Sequence, residues 1–133
     1  MAVLQNLVAK SERYIWQGTD LVLMSQVKLI DSNDNYQFAL QSDFIGGSIN
    51  YVITVDGVAG SPVALVPGVV ILDVPSTGNA WPYGSPGFNF RASLDGVNFP
   101  DSNKTYQVDV GFETGSGVEF KGQWIVKTKG NNA

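Results

Sequence analysis

Residues 105–129 read TYQVDVGFETGSGVEFKGQWIVKTK, and this stretch decides the fold. Tyr106, Val108, Val110 and Phe112 alternate with Gln107, Asp109, Gly111 and Glu113. After Gly115-Ser116-Gly117 the alternation resumes, with Val118, Phe120, Gly122, Trp124 and Val126 set against Glu119, Lys121, Gln123 and Lys127. Side chains of a strand leave it on opposite faces with a period of two, so each half has one apolar and one polar side. Reversing the chain at Ser116 sets Phe112 opposite Phe120 and Val108 opposite Trp124. The two apolar faces then coincide, which fixes the register, because a slip of one residue would turn one strand's apolar set outward. The pattern predicts an antiparallel hairpin with one wet face, closed by a permissive Gly-Ser-Gly tip.

The same alternation runs upstream. Arg13-Tyr14-Ile15-Trp16 reads as a short strand closed by residues 17–20. Leu21, Leu23, Ser25, Val27 and Leu29 share the face of a second strand. Asp31-Ser32-Asn33-Asp34-Asn35 is a turn, followed by Tyr36, Phe38 and Leu40. Gly46-Gly47 interrupts the chain before Ile49, Tyr51, Ile53 and Val55, and Asp56-Gly57 is a hairpin-turn pair. Apolar runs at 63–66 and 69–74, punctuated by Pro62, Pro67 and Pro75, read as sheet-edge strands. Phe88, Phe90, Ala92 and Leu94 alternate with Asn89, Arg91, Ser93 and Asp95, and this strand stops at Asp95-Gly96. Many short strands spaced by turn signals give an all-β, antiparallel β-sandwich. No repeat of fixed period suggests a propeller or solenoid.

A chain of 133 residues has the size of one domain with an ordinary core. Residues 1–12 form a short N-terminal arm or helix, since Val3, Leu4, Leu7 and Val8 have the spacing of one helical face. Residues 13–133 form the sandwich.

The composition narrows the chemistry. With no cysteine there is no disulfide framework and no thiolate metal site; with no histidine the commonest general base and metal ligand are missing. A net charge of −4 with scattered basic residues argues against nucleic acid as a partner. No segment has the roughly 20 apolar residues of a membrane helix, and MAVLQNLVAK lacks the basic start of a signal peptide. Serines have no histidine to activate them and no Gly-x-Ser-x-Gly elbow. Asp31 and Asp34 superficially resemble a calcium loop but lack its central Gly and later Glu. The expectation is therefore a protein that is not an enzyme, with no catalytic residue, no cofactor and no metal.

Contacts carry the function on this reading. Residues 75–87, PSTGNAWPYGSPG, form a long loop in which Trp81 and Tyr83 flank Pro82. Such aromatics either fold back over one end of the sandwich or make contacts; a protein interface fits better than a sugar, whose site would need a ring of carboxylates and amides where only Asn79 and Asn89 lie nearby. Candidate interface residues are thus Val3, Leu4 and Leu7 of the arm and Trp81 and Tyr83 of the loop.

Residues 13–20, the segment Asp43-Phe44-Ile45-Gly46-Gly47-Ser48-Ile49, and the closing Tyr106-x-Val-x-Val through Gly117 to Gly122-x-Trp124-x-Val126 together resemble an Ig-like domain of bacteriophage virion proteins, of the kind found in baseplates and fibres of tailed phages. Residues 58–87 depart from that pattern. The resemblance implies an Ig-like sandwich acting as a structural component of a tail, baseplate, neck or head fibre. Its partners would be copies of itself and other virion proteins, and it would be made in the host cytoplasm and end in the virion. A carbohydrate- or receptor-binding module using the 75–87 loop, with a glycan as partner, is the alternative. A hydrolase built on two aspartates is the third reading.

Overall fold

The computed structural model describes residues 11–30, 33–76 and 87–130. Among these residues eleven strands follow one another as β1 (Ser11–Trp16), β2 (Leu21–Ser25), β3 (Lys28–Ile30), β4 (Tyr36–Phe38), β5 (Ser48–Val55), β6 (Val58–Ala59), β7 (Val63–Leu65), β8 (Ile71–Ser76), β9 (Phe88–Leu94), β10 (Thr105–Glu113) and β11 (Glu119–Lys129). A single-turn helix, α1 (Pro67–Val70), joins β7 to β8, and 3-10 turns cover Gln41–Phe44 and Gly96–Asn98.

Two main sheets form from these strands. The larger has the order β1-β11-β10-β5-β6, with β7 also on β5; the smaller has the order β2-β9-β8; β3 and β4 make a separate hairpin. This is an Ig-like β-sandwich: β5, β10 and β11 take the places of strands C, F and G, β2, β9 and β8 those of B, E and D, and β6 and β7 extend the larger sheet as variable-type domains do. Tyr106, near the start of β10, is buried, and its hydroxyl accepts a hydrogen bond from the Asp101 amide at 3.1 Å. That is the tyrosine corner of Ig sandwiches, in its usual place.

The hairpin of 105–129 has the register read from the sequence, with Phe112 opposite Phe120 and Val108 opposite Trp124. The inward faces of both sheets supply the core: Leu21, Leu23, Phe90, Ala92 and Leu94 from one, Ile49, Tyr106, Val108, Val110, Phe112, Trp124 and Val126 from the other. Aromatic rings cluster in this core. Phe90 lies 5.3 Å from Phe112 and 6.0 Å from Trp124, and Phe112 stacks on Phe120 at 4.9 Å with their planes 7° apart. Aromatic pairs contribute roughly 0.5–1.5 kcal/mol each beyond the area they bury.

Several local expectations differ from the structure. The sandwich is antiparallel except at one edge, where β1 runs parallel to β11 and sets Tyr14 beside Lys127 and Trp16 beside Lys129. The strand expected from Leu21 to Leu29 breaks after Ser25, because the buried Asn89 side chain captures the Val27 backbone. The apolar run at 69–74 is not all strand: Val69 and Val70 lie in α1, started by Pro67 at its first position, where the ring's fixed φ suits a helix. Strand β9 does stop at Asp95-Gly96, and the pair opens a 3-10 turn, with the Asp95 carboxylate accepting from the Val97 amide at 2.9 Å. Strand β1 already includes Ser11 and Glu12, two residues earlier than the expected boundary of the arm. Pro62, just before β7, and Pro75, within β8, do mark edges, since among the described residues β7 pairs only with β5 and β8 only with β9, whereas Pro67 starts α1.

Candidate contact surfaces

Val3, Leu4, Leu7, Trp81 and Tyr83 all lie outside the described residues. Of the 75–87 loop, Pro75 and Ser76 belong to β8 and Gly87 is buried. Asn89, considered as an amide for a sugar, is fully buried and committed elsewhere. It accepts from Val27 N at 2.7 Å and donates to the carbonyls of Val27 and Ala39 at 2.9 and 3.0 Å. Its place on the polar side of an alternating strand concealed this role; nothing in the local pattern distinguishes a buried Asn from a wet one.

Most of the described aspartates are occupied with structure. Asp20 accepts from the Gly96 amide at 2.7 Å, Asp43 from Leu40 at 2.8 Å, and Asp73 from Gln41 at 2.7 Å. Asp109 on the outer face of the large sheet accepts from Gln107 at 2.8 Å and Gln123 at 3.1 Å. Asp56 pairs with Lys104 at 2.7 Å, and that hydrogen bond, followed by the charge of Asp56, raises the Lys104 ammonium above its ordinary value of 10.5. Two carboxylates face each other directly only at the hairpin tip among the paired strand positions, where Glu113 is opposite Glu119 beside a depression of about 110 Å³. Both are exposed. No group of three His, Cys, Asp or Glu suited to a metal occurs among the described residues.

Exposed apolar residues gather where α1 joins the two sheets. A one-turn helix can send only part of its circumference inward. Val70 and the following Ile71 are buried, so Val66 and Val69 face out, and Val69 is 71% exposed. Ile45 at 76% and Val74 at 82% are the most exposed large apolar residues nearby. Two depressions flank the turn. One, of about 510 Å³, is lined by Phe44, Ile45, Pro67 and Gly68 with Gln41 and Asp73 on its rim. The other, of about 380 Å³, is lined by Leu65, Val66, Val69 and Leu72 with Arg91 and Ser93. Sequence reading missed this belt because the valines were assigned to a strand, where alternation would have buried half of them.

A second surface lies across the large sheet, at its β1 edge. Tyr14 and Trp16 alternate with half-buried Ile15 and are 63% and 56% exposed. The Lys127 ammonium stands 5.7 Å from the centre of the Tyr14 ring. Arg13 turns the other way and donates to the Val22 carbonyl at 3.3 Å, tying this edge to the small sheet.

No family model matches the chain. No curated protein matches it either. Among solved structures, one of murine CRIg is similar over 96% of this chain and 98% of its own, at 13% identity and a TM-score of 0.30. So loose a superposition carries no argument; the fold assignment rests on the strand order and the tyrosine corner. No helix among the described residues is long and apolar enough to cross a membrane.

Proposed function

We propose that this chain is a non-enzymatic structural subunit of a phage particle, acting through contacts with copies of itself and with other virion proteins. The observation that carries the assembly reading is the apolar belt around α1: Ile45, Val66 and Val69 stand in water on the monomer and line two depressions that apolar side chains could fill. Contiguous exposed apolar surface rimmed by polar residues is a common feature of protein interfaces. The phage assignment rests on the resemblance of residues 13–20, 43–49 and 106–126 to virion Ig-like domains.

Light scattering on the purified chain tests the assembly reading. A concentration-dependent oligomer that Val69→Asp reduces to monomer supports it. A monomer at every concentration, with no change between parent and variant, counts against it. The genes flanking this one test the phage assignment, which is supported if they encode portal, tube or tape-measure proteins.

A further inference from the structure

We propose that Tyr14, Trp16, Lys127 and Lys129 form a contact site for an anionic saccharide at the β1 edge of the large sheet. The parallel register places Tyr14 beside Lys127 and Trp16 beside Lys129, with all four side chains on the outer face. Residues two apart on a strand are about 7 Å apart, and neighbouring strands about 4.8 Å. The four groups therefore make a block, with an aromatic column on β1 and an ammonium column on β11. Its outline suits one or two sugar rings.

The chemistry follows from the pairing. A pyranose presents a face of C–H bonds that packs on an aromatic ring, and a Tyr or Trp offers that surface at low conformational cost. An acidic substituent (carboxylate, sulfate or phosphate) on the same sugar then meets the lysines. Edge strands often carry lysine to discourage pairing with other chains. Here, though, the two lysines lie on β11, one strand in from the edge, and the edge strand β1 itself carries two aromatic rings that remain more than half exposed.

Nucleic acid is the weaker fit. Two lysines would release about two counterions, whereas sequence-independent binding at physiological salt draws on several phosphate contacts. The block contains no arginine, the side chain that stacks on bases and grips phosphate with two donors. The site is independent of the assembly reading, because the strand order sets β1 and β7 at opposite sides of the large sheet. A failure of one leaves the other standing.

Calorimetric titration with four probes tests it: a heparin-derived hexasaccharide, a galacturonate hexamer, neutral maltohexaose and a twelve-residue oligothymidylate. We expect at least one acidic hexasaccharide to bind, and to do so at least tenfold more tightly than the neutral one. Which of the two wins distinguishes sulfate from carboxylate. Trp16→Ala and Tyr14→Ala should each weaken binding at least tenfold, and the double change Lys127→Gln with Lys129→Gln should remove its salt dependence. Trp81→Ala should bind as the parent does, and unchanged circular dichroism should accompany every variant. The proposal is overturned if neither acidic hexasaccharide binds, if maltohexaose binds as well as they do, if the oligothymidylate binds more tightly, or if Trp16→Ala and Tyr14→Ala bind like the parent.

Discussion

Gly115 packs against the carbonyl oxygen of Ile45 so closely that a Cβ on the glycine would overlap it, and the Gly115 amide donates to the Asp43 carbonyl at 2.9 Å. The tip of the β10–β11 hairpin is thereby fastened to the 3-10 turn that leads into β5. Gly47 makes the reciprocal approach, with its missing side chain facing Glu113 O.

Substituting alanine for Gly115 should therefore cost about 2 kcal/mol or more, since backbone must move on both sides of the contact. Gly117, at φ 91°, meets nothing within 4 Å, so Gly117→Ala should cost roughly 1 kcal/mol through backbone strain alone. Gly111 has ordinary φ and open space, and Gly111→Ala should be neutral or slightly stabilising. Urea midpoints of the three variants check the order; equal losses for Gly115→Ala and Gly111→Ala would contradict the packing account.

Asn89→Ala should lower stability by about 2–4 kcal/mol. It removes three hydrogen bonds at a site with no water access and leaves the Val27 amide without its acceptor. Asn89→Asp should be similarly costly, because both amide donors to Val27 and Ala39 vanish and a carboxylate is buried. Chemical denaturation measures both, and a loss below about 0.5 kcal/mol for Asn89→Ala would show that the Val27 backbone finds another partner.

Tyr106→Phe isolates the hydroxyl of the tyrosine corner. The ring still packs edge-on against Phe99 at 5.2 Å, so only the bond from Asp101 N is lost. A cost of about 0.5–1.5 kcal/mol is expected, with unchanged circular dichroism. A larger loss would mean that the hydroxyl also fixes the turn before β10.

Strand β6 (Val58–Ala59) is too short to show a period, but β5, β10 and β11 of the large sheet were legible in the sequence because each has one wet face, and alternation reports that directly. The Phe112–Phe120 and Val108–Trp124 pairs follow from it without further information. The Asp56-Gly57 turn was legible for a different reason: φ of 53° and 77° at its two central residues is a demand that few residue pairs meet. What escaped was non-local. Gly115 reads as a flexible tip residue, yet its constraint comes from Ile45, 70 positions away. Helix α1 is a single turn too short to show helical periodicity, and the exposure of Val66 and Val69 depends on it. The parallel placement of β1 that creates the Tyr14–Trp16 surface depends on which edge strand the chain meets, which a period of two does not encode. The candidate site was therefore less legible than the fold.

The last prediction concerns pH. Lys104 gains a carboxylate partner on folding, and its ammonium is held above the ordinary 10.5 by the hydrogen bond from its Nζ to Asp56 and by that residue's charge. A group whose folded pKa is raised contributes stability that is fully present below its unfolded pKa and is lost as pH rises through the folded value. The pair should thus support the fold unchanged across neutral pH and lose its contribution only above 10.5. Lys104 and Asp56 both stand partly in solvent, which screens the pair, so its contribution is small and weakens further in salt. Comparing the parent with Lys104→Met by urea unfolding should give a slight difference at pH 8 in low salt that narrows steadily as the pH is taken above 10.5. A difference that persists at the higher pH would place the effect of the substitution in the lysine's aliphatic stem, which packs instead of pairing.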